Sequence, residues 1–397
     1  MSSNGRKTVL FAGSLIDGTG KAPVNDAAIV IERGRIVQLG SRREVDYDAR
    51  DVEVVDASGS LVMPGLVDSH NHLFYLDHSH FKEPSVAIAV ARGIRNAGLW
   101  LDLGITTTRD MSTRENLDIG LRDAINAGLV RGPRLFVSGM GLITTCGKDE
   151  AQREIAIEIT GEVEARRVTR QQLYARVDFI KLFTTAGLAN NGIVLMTFDE
   201  IKAAVEEAHK AGKKVAAHAM ATEGIKNAVR AGVDTIEHGT FLDEEAVEMM
   251  KSRSVALVTT LSRKMAIAEL GEGVGRTPTM VENARRSLEP AVRSIQLARQ
   301  AGVRIAAGTD GEAQDTLARE VAALVRAGLS NMEALVAATR SGAEILGMSS
   351  EFGTLEVGKR ADILVLGDNP LNDITALERV RYVLKDGEIV RRPQQTK

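Results

Sequence analysis

Met63-Pro64-Gly65-Leu66-Val67-Asp68-Ser69-His70-Asn71-His72 is the stretch on which the fold turns. Its apolar, β-branched run reads as a strand over Gly65–His72. Alternate residues of a strand share a face, so His70 and His72 point the same way from the strand's carboxyl end. Asp68 has the same parity one layer deeper, where it could orient a ligand.

Working outward, seven further short apolar runs alternate with helical patterns. They are Ile105–Asp110, Arg134–Ser138, Asp178–Phe183, Lys214–His218, Thr235–His238, Ala256–Thr260 and Arg304–Thr309. One intervening helix is well marked. Thr197 with Glu200 forms a capping box, Ile201, Ala204, Val205 and Ala208 make one apolar face, and Gly212 ends it. Eight βα units match a (β/α)₈ TIM barrel, for which about 250 residues is typical. An open doubly wound sheet is the competing arrangement, but no Gly-rich phosphate loop follows the first strand.

Both ends of the chain have a different rhythm. Val9–Ile16, Ala27–Glu32 and Arg35–Leu39 read as strands, with Arg33-Gly34 turning between the last two. Ala361–Leu366 and Arg381–Lys385 resume the pattern, and Asp386-Gly387 turns into Glu388–Arg391. Gly18 and Gly20 are turn residues between such strands, not a phosphate cradle. The expected organisation is a small β domain built from residues 1–60 and 348–397 around a barrel of residues 61–347.

Composition excludes several functions. Lys plus Arg number 50 against 53 Asp plus Glu, for a formal charge of -3, and aromatics are 4%. No basic tract suggests nucleic acid or an anionic membrane. One cysteine, Cys146, rules out an intramolecular disulfide framework. No apolar run approaches the ~20 residues of a membrane helix, and no convincing secretory leader is present, so the cytoplasm is expected.

Four more strands carry a metal-capable or basic residue at or near their ends. These are Lys181 in Asp178-Phe179-Ile180-Lys181, His218 in Val215-Ala216-Ala217-His218, His238 in Ile236-Glu237-His238-Gly239, and Asp310 in Gly308-Thr309-Asp310. Barrel active sites lie at the carboxyl ends of the strands, so the six residues converge on one point. With these motifs and with Gly353-Thr354-Leu355 through Gly358-Lys359-Arg360-Ala361-Asp362, the chain resembles the amidohydrolase superfamily over nearly its whole length. The likeness is to the subtype with a lysine-bridged pair of metals and, within it, to the Xaa-Pro dipeptidase and arginine-carboxypeptidase branch.

That resemblance implies a β-sandwich for the small domain and a site for two divalent metals, zinc by the imidazole and oxygen ligands. It implies that His70, His72, Lys181 and Asp310 hold one ion and Lys181, His218 and His238 the other, with Lys181 N-carboxylated as the bridge. Two such ions about 3.5–4 Å apart can share a hydroxide that attacks a carbonyl, with Asp310 moving the proton to the leaving nitrogen. The expected reaction is hydrolysis of an amide, carbamate or urea C–N bond in a small acyl substrate, by a homo-oligomer. The alternatives are a dipeptidase or carboxypeptidase of the same branch and a one-metal deaminase. The deaminase would need a catalytic Glu beyond the fifth strand, where Glu223 reads as the start of a helix. A non-enzymatic scaffold on this fold is expected to lose ligands, and all six are retained here.

Cys146, Lys148 and Met220 are the expected substrate contacts, while His78 and His80 sit in a loop on the same side. His209 reads as a surface cation near a helix end and Asp110 as a group that fixes neighbouring loops. Relatives often place Tyr after the fifth-strand His-Ala, where this chain has Met220. The missing phenol argues for an uncharged acyl substrate ahead of one with a free carboxylate.

Overall fold

A computed structural model of the chain describes residues 7–45, 52–74, 85–147, 154–188, 193–271, 276–311 and 316–393. The barrel strands are β5 (Leu66–Asn71), β6 (Ile105–Asp110), β7 (Arg134–Val137), β8 (Gly141–Thr144), β10 (Phe179–Phe183), β11 (Lys214–Ala219), β12 (Thr235–His238), β13 (Ala256–Thr259) and β14 (Ile305–Ala307). Neighbouring strands pair in parallel throughout.

The expected third strand is broken in two. Its first half, β7, pairs with β6, and its second half, β8, pairs with β10. Gly139 makes the break at φ +63, where its N–H donates to Asp118 and its carbonyl accepts from Thr113 N–H. An additional strand, β9 (Ala156–Ile159), lies beside β8 and was not anticipated.

Closure between β14 and β5 excludes the open sheet. Asp310 N–H donates to His70 O at 2.8 Å, and Thr309 donates from both N and Oγ1 to the Asp68 carboxylate. Gly308 is required for this approach, because a Cβ there would lie 2.5 Å from His70 Cβ. Asp68 thus ties the first strand to the last. It accepts from the His70 backbone and not from its imidazole, so it is not the group that orients His70.

Strand alternation sorts the side chains. Ile180, Leu182, Val215, Ala217, Ile236 and Leu257 join the apolar core shared with the surrounding helices. The residues between them turn inward, where Arg109, Thr235, Glu237 and His70 bond to one another from three different strands. The helix Phe198–Lys210 has the expected capping box at Thr197 and Glu200 and buries Ile201, Ala204, Val205 and Ala208.

The small domain is a seven-stranded sheet in the order β17-β16-β15-β4-β1-β2-β3. Its members are β1 (Lys7–Leu15), β2 (Val24–Glu32), β3 (Arg35–Ser41), β4 (Val52–Pro64), β15 (Ile363–Leu366), β16 (Val380–Lys385) and β17 (Glu388–Arg391). The far edge curls back, with Ile36 N–H donating to Lys359 O and Ala361 N–H to Gly34 O, each at 2.9 Å. This encloses Leu10, Ile29, Val62, Ile363 and Leu384 in a sandwich-like core. Strand β4 escapes a sequence reading because its middle is Asp56-Ala57-Ser58-Gly59-Ser60. That polar stretch lies beside a bulge in β1, where a Cβ on Gly13 would sit 2.4 Å from Ser58 O. No helix among the described residues is long and apolar enough to cross a membrane.

Candidate metal centre

The six strand-end residues come together at the barrel mouth. His70 Nε2 and His72 Nε2 lie 3.4 and 3.3 Å from the same oxygen, Asp310 Oδ1. Potential ligand atoms of these three residues fall within 4.8 Å of one another. The rings continue the cluster, with centroids 4.8 Å apart for His70 and His238 and 4.6 Å apart for His218 and His238. Lys181 is 1% exposed on β10, its Nζ 5.1 Å from the centre of the Phe183 ring, which packs against His218.

Backbone geometry at two of these positions is unusual. His238 has φ +70 and Asp310 φ +48, both in the left-handed region that non-glycine residues rarely adopt. Such strain concentrates at functional sites, where the surrounding structure imposes it. His238 is held by a 2.8 Å bond between Nδ1 and Thr260 Oγ1, and Asp310 by its N–H bond across the barrel seam.

Electrostatics favours ligand-ready states. Burial pushes His218 down to about 3, aided by the nearby Lys181 charge, and pushes His72 and His238 down as well. These imidazoles are therefore neutral and keep lone pairs for coordination. Burial also lowers the Lys181 ammonium to about 8, against the pull of Glu237 and Asp310. For Asp310, burial alone would raise the carboxyl, but the His70 and His72 imidazoles outweigh it and hold it well below the usual range.

Sequence reading missed the groups that orient this cluster. Glu237, fully buried, meets His70 Nδ1 at 2.7 Å through Oε2. Its Oε1 accepts from Arg109 Nη2 at 2.8 Å and from Thr235 Oγ1. Burial would raise Glu237, but Arg109 and the His70 bond bring it down to about 2, so the hydrogen on the His70 contact belongs to Nδ1. His70 Nε2, 3.4 Å from Asp310 Oδ1, is then the ring nitrogen left to meet a cation, which the two atoms would share. That donor set fits a divalent metal. Strand parity concealed Glu237, since a residue beside His238 should face the opposite side. The positive φ at His238 breaks that alternation and lets both serve the site.

The remaining expectations divide. Met220 is 3% exposed just beyond β11, its N–H donating to Thr185 Oγ1. Cys146 is an exposed free thiol after β8. Lys148, His78 and His80 lie outside the described residues. His209 bonds to Asp234 at the surface at 2.9 Å, Asp110 accepts from Thr113 in the loop after β6, and Glu223 lies in the first turn of the helix Thr222–Ala231.

Comparison with known proteins agrees with this geometry. Residues 61–390 match the model of the amidohydrolase family. Ochratoxinase of Aspergillus niger is 29% identical, over 97% of this chain and 87% of its own. The crystal structure of a Xaa-Pro dipeptidase with methionine in its active site superposes with a TM-score of 0.90 at 30% identity, covering 96% of this chain and 99% of that one. A prolidase complexed with N-methylphosphonate-L-proline gives 0.89 at 31%, covering 97% and 100%. The chain therefore belongs to the amidohydrolase family and is a hydrolase acting on carbon–nitrogen bonds.

Proposed function

We propose that the chain hydrolyses an amide, carbamate or urea bond in a small acyl compound at a site for two divalent metals. The observation that carries this is the convergence of four imidazoles, Lys181 and Asp310 at one buried point, with His72, His218 and His238 held neutral. His70, His72, Lys181 and Asp310 would hold one ion and Lys181, His218 and His238 the other, with zinc suiting this ligand chemistry. When bound, such ions supply Lewis acidity toward the scissile carbonyl and acidify water.

The chain's own residues do the rest. Lys181, lowered to about 8 by burial, is neutral in roughly one chain in ten at pH 7. Its amine can add to carbon dioxide, losing one proton to solvent and becoming an anionic carbamate that bridges the two ligand sets. Asp310, held ionised, accepts a proton from the attacking water as its oxygen adds to the carbonyl carbon. It returns that proton to nitrogen as the C–N bond breaks, so the leaving group departs as a neutral amine. Glu237 and Arg109 keep the His70 ring and tautomer fixed through the cycle.

The same reading includes a homo-oligomer working on a small molecule in the cytoplasm, in keeping with the lone free thiol. The decisive experiment is metal analysis paired with a screen of dipeptides, N-acyl amino acids, aryl carbamates and phenylureas. Near two metals per chain with C–N cleavage is the expected result. Near one metal with deamination would favour the deaminase, and near zero with no turnover would favour a scaffold.

A further inference from the structure

The joint between the barrel and the small domain holds a cavity of about 360 Å³ lined by residues of both. Arg122, Arg134 and Phe136 line it from the barrel, and Arg360, Lys385 and Asp386 from the small domain. Arg134 opens β7, and Asp178, also in the lining, directly precedes β10. The cavity therefore lies at the strands' amino ends, across the barrel from the metal centre. Arg360 and Asp386, with side chains 36% and 39% exposed, open it to solvent.

The arginines of this lining are paired with acids. Arg122 meets Asp178 at 3.0 Å, while Arg134 and Arg360 both donate to Asp386 Oδ1, at 2.7 and 2.8 Å. Arg134 also pairs with Asp362, and Arg360 with Glu351. Lys385 differs. Among the described residues no carboxylate lies within ion-pair distance of its ammonium, whose one hydrogen-bond partner is Gly132 O at 2.8 Å. Lys264, 6% exposed and donating to Thr240 Oγ1 at 2.8 Å, also lacks a carboxylate, but of the two only Lys385 lines this cavity. An ammonium carries three hydrogens, so two remain on Lys385, and Arg360 Nη2 has no protein partner among the described residues. Burial lowers the Lys385 ammonium, and the nearby Arg134 charge adds to this against the pull of Asp386.

We propose that this cavity binds a phosphate group, with Lys385 as its anchor and the Arg360 guanidinium beside it. Arg360 is held to Asp386, the residue after Lys385, so the unused hydrogens of the two cations border one space. A phosphate presents several strong acceptor oxygens and answers donors of both kinds at once. Phe136 gives the same cavity an aromatic wall against which the organic part of a phosphate ester rests. The site is separate from the metal centre and does not depend on C–N hydrolysis there. An anion held between the two domains stabilises their joint without occupying the space where substrate binds.

The probes are inorganic phosphate and phenyl phosphate, followed by calorimetry and thermal denaturation on metal-loaded wild type, Lys385→Gln and Lys385→Arg. Phosphate also meets metals, so the quantity read is the binding that depends on residue 385. Lys385→Gln removes the charge, keeps a donor for Gly132 O and leaves the ion pairs of the joint in place. Wild type should bind phosphate and gain thermal stability as its concentration rises. Lys385→Gln should bind about 10- to 100-fold more weakly, and Lys385→Arg should recover part of the loss. A residue-385-dependent preference for phenyl phosphate assigns the site to an organic phosphate, and the opposite preference assigns it to the free ion. If wild type and Lys385→Gln bind both probes equally, the proposal is overturned. An equal wild-type stabilisation by chloride at matched ionic strength overturns it as well.

Discussion

Replacing Glu237 by Gln changes one atom in a fully buried network and should cost the protein its metal. Two hydrogen-bond donors, Arg109 Nη2 and Thr235 Oγ1, converge on Oε1. A Gln at this position therefore turns its carbonyl oxygen to them and its amide NH₂ toward His70. His70 Nδ1 must then accept in place of donating, which moves the ring hydrogen to Nε2, the nitrogen 3.4 Å from Asp310. The lone pair needed for a metal is lost, although no ligand residue has been touched. Loss of such an outer partner typically weakens metal affinity about 10- to 100-fold, or ~1.4–2.7 kcal/mol. The metal-free protein suffers too, because Arg109 at 3% exposure loses its countercharge, and breaking a buried pair costs about 3–5 kcal/mol. Gln retains one acceptor, which puts the expectation near ~3 kcal/mol. Chelator competition measures the first quantity and urea denaturation of the metal-free protein the second. Glu237→Gln with metal affinity within about twofold of wild type would show that His70 does not depend on this tautomer, refuting the reasoning.

Lys181→Ala should lose most bound metal, and short carboxylic acids added to the mutant should restore part of it. Full metal loading of Lys181→Ala without added acid counts against the bridging role. Asp310→Asn keeps an oxygen ligand but removes the proton acceptor, so kcat should fall by about 10²–10⁴ while metal content holds; equal turnover would mean that another group carries the proton. Lys264 also predicts a pH effect on the metal-free protein. Its ammonium is lowered to about 7 from 10.5, so between those values the unfolded chain binds more protons and stability rises with pH. Lys264→Met should reduce that slope by about 1.4 kcal/mol per pH unit in this window, and an unchanged slope in urea titrations would contradict the unpaired charge.

Local period and strand ends are the features that can be read directly along the chain. The eight barrel strands were legible because each is a short apolar run bounded by turns, and His70, His72, Lys181, His218, His238 and Asp310 because each lies at or near the end of one. Barrel closure brings such ends together whatever lies between them. Strand β4 and the break at Gly139 were not legible, since a bulge and a positive φ replace the periodicity that would announce them. The partners Glu237, Arg109 and Lys264 were decided by tertiary structure alone. Arg109 and Glu237 are 128 residues apart in sequence and 2.8 Å apart in space, and nothing along the chain announces that Glu237 serves the same site as its neighbour His238. Lys264 looks like any helical lysine until its burial is seen, with no carboxylate paired to it among the described residues. Coordination is a property of strand ends and can be read along the chain, whereas charge satisfaction depends on which distant segments meet across the barrel.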